Sequence, residues 1–286
     1  MKHSLNIILI LLVCHIQAQN YEYEPLITKD SIKQKQWTDS IYYQMSLDEK
    51  IGQLFMVDVF SESPRNDISK LIKKYHIGGI IFSKGGPFRQ AKLTNLYQSK
   101  SKYPLMIAMD AEWGLAMRLD STYAFPWNMT LGAVKNNSVV KDVATQIAKH
   151  NKRLGVHINF APVVDINTNP KNPIIGNRSF GEDKFNVTEK AKVFVEAFDE
   201  VGILSSAKHF PGHGDTDTDS HKTLPSLHFT AERLDSIEMY PFKQLTETNL
   251  SSMMVAHLNV PSLEPQVNLP TSLSKNVVTG LIKEKL

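Results

Sequence analysis

The sequence predicts a parallel (β/α) barrel, and two observations predict it. Short continuous apolar runs alternate with amphipathic helical stretches, which is the pattern of a parallel sheet covered on both faces. Polar residues then sit at the C-terminal ends of successive runs: Asp110 and Glu112, Asp165, Lys208 and His209, and His257. A doubly wound open sheet meets the first condition but concentrates function at one switch point. Function spread over several strand ends is the habit of a barrel.

The elements follow from local signals. Ser46-Leu47-Asp48-Glu49 is a capping box that opens a helix to about Gln53. Leu54 to Phe60 reads as strand one. Asp67 caps a helix through Tyr75 whose Ile68, Leu71 and Ile72 share a face. Ile77 to Phe82 is strand two, and Arg89 to Lys102 the helix after it. Leu105 to Met109 is strand three and delivers Asp110. Asn137 to Leu154 is an amphipathic helix closed by Gly155. Val156 to Val164 is strand four, Glu182 to Glu200 a helix, and Ile203 to Ala207 strand five. Thr230 to Thr248 reads as helix, kinked or split by Pro241. Ser252 to Ala256 is strand six, and another helix begins near Ser272.

Residues 1–18 join a basic start (Lys2, His3) to an apolar run from Ile7 to Val13 and a small residue, Ala18. That is the pattern of a secretory signal peptide, too short in its apolar part to span a bilayer. Export to the periplasm or the cell exterior is expected, with cleavage after Ala18. The single cysteine, Cys14, lies inside this segment. A lipid anchor on Cys14 is the alternative, disfavoured by the bulky Val13 and the late polar flank. Cleavage after Ala18 leaves neither disulfides nor thiol chemistry. Residues 19–37 read as an irregular leader and 38–286 as one large domain. Lys plus Arg number 32 and Asp plus Glu 29, with no basic block, which argues against nucleic acid as a partner.

The densest chemistry is KHFPGHGDTDTDSH, residues 208–221, with one Lys, three His, three Asp and two Gly. A core has no use for so many titratable groups, and the Gly and Pro residues mark a shaped loop. A calcium loop fails on spacing, because Ser220 and Ser226 stand where Gly and Glu are needed. Zinc on His209, His213 and His221 lacks any recurrent ligand spacing. A histidine acid/base with an adjacent carboxylate suits Asp219 and His221. A solvated loop without chemistry is the remaining alternative.

Asp110 leaves strand three at the position where a barrel delivers a side chain to its mouth, and Glu112 and Arg118 follow on its loop; an incidental surface ion pair is the other reading. Arg178 is flanked by Gly176 and Gly181, a setting for bidentate recognition or for pinning the loop. Lys208 and His209 end strand five, where alternation points only one of them directly into the mouth, while the loop geometry beyond the strand could bring both in. Charged donors and acceptors around a mouth suit a polyhydroxylated ligand. Trp113 and Trp127 offer apolar ring faces, although Trp127 equally suits a core.

KHFPGHGDTDTDSH resembles the signature of the β-N-acetylglucosaminidases of glycoside hydrolase family 3. Asp110 to Arg118, Arg178 in Asn177-Arg178-Ser179-Phe180-Gly181, and Lys208-His209 match that family's sugar-binding positions in order and spacing. The resemblance covers nearly the whole mature chain. It implies a TIM-type (β/α)8 barrel, with His221 as general acid/base and Asp219 as its dyad partner. Asp110, Arg118, Arg178, Lys208 and His209 would hold N-acetylglucosamine. One departure stands out: many members place two glycines and an aliphatic residue between the Glu and the Arg, where this chain has Trp113-Gly114-Leu115-Ala116-Met117.

The implied reaction is exo-acting β-N-acetylhexosaminidase hydrolysis of cell-wall or chitin-type glycans by retaining double displacement, with no cofactor and no metal. A neutral His221 in the glycosyl-enzyme would be a competent base for water. The resemblance places the nucleophilic aspartate at the end of strand seven, past Leu286. The barrel is therefore expected to be incomplete, with about six of the eight strands, open at strands one and six, and inactive alone. Two further readings stay open: a β-N-acetylglucosaminide phosphorylase, since histidine does not repel phosphate as a carboxylate would, and a sugar-binding remnant.

Overall fold

The computed structural model describes residues 30–64, 67–218 and 224–286. Its first helix, α1 (Ser31–Tyr42), occupies part of the expected irregular leader. An Asp30 cap and an i,i+4 pair between Lys35 and Asp39 hold α1 together. It buries no residue, so no apolar periodicity announced it. The capping box of α2 (Leu47–Gly52) forms in both directions between Ser46 and Glu49. Strand β1 (Met56–Phe60) starts two residues later than Leu54, and Leu54 and Phe55 remain exposed. In α3 (Ile68–Tyr75) Ile68 and Ile72 are buried, but Asp67 makes no side-chain cap bond.

Strand β2 (Gly79–Lys84) leads to α4 (Pro87–Gln98), which opens on Pro87 because a first-turn proline loses no bond. After β3 (Met106–Met109) comes a short helix without sequence signal, α5 (Asn128–Gly132). Next is α6 (Asn137–Arg153), after which Gly155 takes φ 76°. Strand β4 (Ile158–Asn159) is far shorter than the predicted Val156–Val164. Pro162 has no N–H to continue the ladder, and only Val163 bridges onward, to Lys208. Then follow α7 (Lys184–Val201), stopped by Gly202, and β5 (Leu204–Phe210). The predicted 230–248 helix is two, α8 (Ala231–Ser236) and α9 (Tyr240–Leu245); the break precedes Pro241, which sits in the first turn of α9. Beyond β6 (Ser252–Val255), a π-helical segment over Asn276–Lys283 replaces the expected α-helix.

The sheet order is β1-β2-β3-β4-β5-β6, every neighbouring pair parallel. Strict sequential order has no reversal and hence no switch point, so this is the wall of a TIM-type barrel and not a doubly wound sheet. Among the described residues, β1 pairs only with β2 and β6 only with β5. Behind the sheet, Ile147 of α6 and Phe194, Phe198 and Val201 of α7 pack with Ala161 and Ala207 in one buried cluster. Burying each large side chain is worth about 1.5–3 kcal/mol, and this cluster fixes the strands whose ends carry the polar residues. No described helix is long and apolar enough to cross a membrane.

Candidate active site

A cavity of about 530 Å³ opens at the C-terminal ends of the strands. Asp110, Arg118, Arg178, Lys208 and His209, the residues singled out in the sequence, all line it, together with His257. Asp219 and His221 lie outside the described residues.

One chain of ion pairs runs through these side chains. Arg118 Nη2 donates to Asp110 Oδ2 at 2.8 Å, and Lys208 Nζ to Asp110 Oδ1 at 2.7 Å. Lys208 Nζ also lies 2.6 Å from Glu112 Oε1. Arg178 clamps Glu112 bidentately, Nε to Oε2 at 3.0 Å and Nη2 to Oε1 at 2.7 Å. Arg178 Nη2 lies 3.4 Å from His209 Nε2. The other ring nitrogen, Nδ1, meets Asp165 Oδ2 at 2.6 Å, and Asp165 Oδ1 accepts from the backbone N–H groups of His209 and His213.

The floor of this network is dry: the side chains of Lys208, Glu112 and Asp165 are at most 1 % exposed. Burial pushes the Asp110 carboxyl up, but Lys208 and Arg118 outweigh it and hold it at about 2. Burial likewise raises Asp165, and His209 and His213 bring it back down to about 2. Glu112 is lowered in the same way, by Lys208 and Arg178 against burial. Burial holds the His213 ring below its ordinary value.

Lys208 and His209 both reach the cavity, the second of the two arrangements the sequence allowed. The β5–β6 register shifts between Lys208 and Phe210, where the Lys208–His209 peptide is cis. Such a bulge releases side chains from strict alternation.

Glu112 and Asp165 are more central than the sequence suggested: Glu112 joins two cations, and Asp165 joins the His209 ring to two backbone N–H groups of the signature loop. Two asparagines set the loops. The Asn159 side chain accepts from the Ala111 N–H at 3.0 Å and donates to the Ala111 carbonyl at 3.1 Å, fixing the turn between Asp110 and Glu112. Its sequence signal is a polar residue inside an apolar run. Asn172 Nδ2 donates to the His213 carbonyl at 2.7 Å while its Oδ1 accepts from Ile174 and Ile175. It thereby ties the Arg178 loop to the signature loop.

Gly214 lets the signature loop approach: a Cβ there would sit 1.8 Å from the Ile166 carbonyl oxygen. Gly214→Ala is expected to cost about 1–3 kcal/mol, as overpacking does. Urea unfolding checks this; an unchanged midpoint would contradict the close approach.

A parallel barrel with charged side chains gathered at its strand C-termini defines a barrel-enzyme type of site. The comparisons with known proteins specify it. The model of the glycosyl hydrolase family 3 N terminal domain matches residues 46–286, and the chain belongs to that family. Beta-hexosaminidase A of Pseudoalteromonas piscicida is 34% identical over 285 residues, covering 92% of this chain and 47% of that protein. Beta-hexosaminidase LpqI of Mycobacterium tuberculosis is 32% identical over 240 residues, covering 82% of this chain and 60% of that protein. Among solved structures, a family 3 beta-N-acetylglucosaminidase from a Paenibacillus strain has a TM-score of 0.77 at 38% identity, covering 83% of this chain and 46% of that one. A beta-glucoside phosphorylase, BglX, has a TM-score of 0.82 at 26% identity, covering 89% and 47%. The chain thus spans about half the length of several relatives it matches.

Proposed function

We propose that this chain is the barrel domain of an exported, exo-acting β-N-acetylhexosaminidase that releases terminal β-linked N-acetylglucosamine from cell-wall or chitin-type glycans. The carrying observation is the Arg118–Asp110–Lys208–Glu112–Arg178–His209 network, in which every member but the buried Glu112 lines one cavity. A carboxylate offers about four acceptor sites, so Asp110 can hold two cations and still accept from a sugar hydroxyl. The dry floor closes the cavity behind one terminal ring, which suits exo action. Asp219 and His221 would act as the acid/base dyad: His221 gives its proton to the departing glycosidic oxygen, then takes one from the attacking water.

The described carboxylates of the network are all engaged: Asp110 by Lys208 and Arg118, Glu112 by Lys208 and Arg178, Asp165 by His209. A carboxylate tied up in ion pairs is a poor nucleophile, so the proposed retaining mechanism calls for an aspartate outside this network, and the chain without one should not turn over. The test pairs this chain with a version extended through strand eight, on an aryl N-acetyl-β-glucosaminide. Turnover is expected only from the extended protein, falling by about 10²–10⁴ in His221→Ala. No turnover from the extended protein would sink the proposal, whereas comparable turnover from the chain alone would overturn only its expected inactivity.

Phosphorolysis is the second reading, favoured by the likeness to a beta-glucoside phosphorylase. A sugar 1-phosphate product in phosphate buffer would establish it. Export predicts a mature N-terminus at Gln19, readable by N-terminal sequencing; a mature chain starting at a lipidated Cys14 would replace it with a lipoprotein.

A further inference from the structure

The signature loop leans on the elbow between α8 and α9, none of whose side chains lines the cavity. Phe242 of α9 meets the Phe210 ring edge-on at 5.1 Å. Gly212 is pressed against Glu238: a Cβ there would sit 2.7 Å from the Glu238 Cβ. Arg233 of α8 adds the charged contact, with Nη2 2.8 Å from Glu238 Oε1 and 3.9 Å from Asp215 Oδ2. The elbow therefore touches the stem of the loop at Phe210, Gly212 and Asp215.

The guanidinium has a fixed seat. Its Cζ lies 4.8 Å from the centre of the Phe229 ring, and the Thr230 side chain caps the turn that carries it. Glu238 is 2 % exposed, yet its Oε2 and Arg233 Nε are buried without a hydrogen-bond partner among the described residues. Apolar side chains often serve stability as well as a buried pair in that condition. What they cannot supply is a charge that reaches Asp215. Asp165 and Asn172 bind the backbone of His213, so the residues on either side of Gly214 are held by different elements.

We propose that Arg233 is a positioning residue for the acid/base: seated on Glu238, it pairs with Asp215 and fixes the stem from which the chain runs on to Asp219 and His221. The inference rests on the roles proposed for those two residues. Asp215 lies four residues before Asp219. A stem free to shift would move the proton donor relative to the glycosidic oxygen, and proton transfer is steeply sensitive to such displacement.

Amide hydrogen exchange of this chain reads the stem directly. Arg233→Gln and Asp215→Asn should each raise exchange over residues 212–216 about two- to fivefold, the scale of a part-exposed ion pair. Asp215→Asn leaves the buried Arg233–Glu238 pair intact, so it serves even where Arg233→Gln destabilises the fold. Asp235→Asn, which breaks the exposed pair with Lys243 on the same elbow, is the control and should change nothing there. Unchanged exchange in both test variants overturns the clamp. The second measurement is kcat/KM of the protein extended through strand eight, on phenyl and dinitrophenyl N-acetyl-β-glucosaminides. Dinitrophenolate leaves without a proton, whereas phenolate needs one. Both test variants should lose about tenfold on the phenyl substrate and keep the dinitrophenyl rate, and the double variant should lose no more than Arg233→Gln alone. Equal losses on the two substrates, or none, overturn the positioning role. His221→Ala separates the readings. If it too ignores the leaving group, the acid/base reading falls and positioning with it. If it follows the leaving group while the Arg233 and Asp215 variants do not, only positioning falls.

Discussion

Glu112→Gln is expected to destabilise the chain by about 3–5 kcal/mol, the cost of breaking a buried ion pair from one side. Glu112 is fully buried and accepts from Arg178 Nε and Nη2, with Lys208 Nζ 2.6 Å away. The amide keeps the shape but turns one acceptor into a donor facing two cations. Lys208, 1 % exposed, would then rely on Asp110 alone. Urea unfolding of both proteins at neutral pH measures the difference. Asp120→Asn is the control: that carboxylate pairs with Arg89 where both side chains are about half exposed, and such pairs contribute little. A Glu112→Gln midpoint as close to the parent as that of Asp120→Asn would refute the role of Glu112 as the hub.

The contrast between these two carboxylates marks what the sequence could and could not disclose. The barrel was legible because strands buried on both faces must be continuously apolar, and because Asp110, Lys208 and His209 interrupt that pattern at strand ends. Glu112 looked like any polar loop residue: its weight comes from Arg178 and Lys208, 66 residues and more away in sequence. Local pattern carries no such information. The inward turn of both Lys208 and His209 depends on a register shift against β6, again a property of two strands together. Strand β4 is shorter than its apolar run because, past Pro162, the buried Val163 and Val164 continue the pairing only as an isolated bridge to Lys208. The exposed α1 and the short α5 lack the apolar stripe that makes a helix visible.

The same network predicts an acid transition. Asp110 and Asp165 have folded values of about 2, below the ordinary 3.8. A depressed carboxyl stabilises the fold at every pH above its unfolded value and loses that contribution as pH falls through its folded value. The window is therefore about pH 4 down to 2. Each group contributes on the order of 2 kcal/mol. Stability measured by urea unfolding should be flat with respect to these groups from pH 7 to 5, then fall steeply. Asp110→Asn and Asp165→Asn should each be less stable at neutral pH and each remove about half of the steepness contributed by the pair. The physical reason is that protonation takes from Lys208, Arg118 and His209 the partner that offsets their burial. Variants whose acid slopes match the parent would show that these carboxyls titrate alike in the folded and unfolded chain, and the ionic floor would lose its place as the element that holds the mouth together.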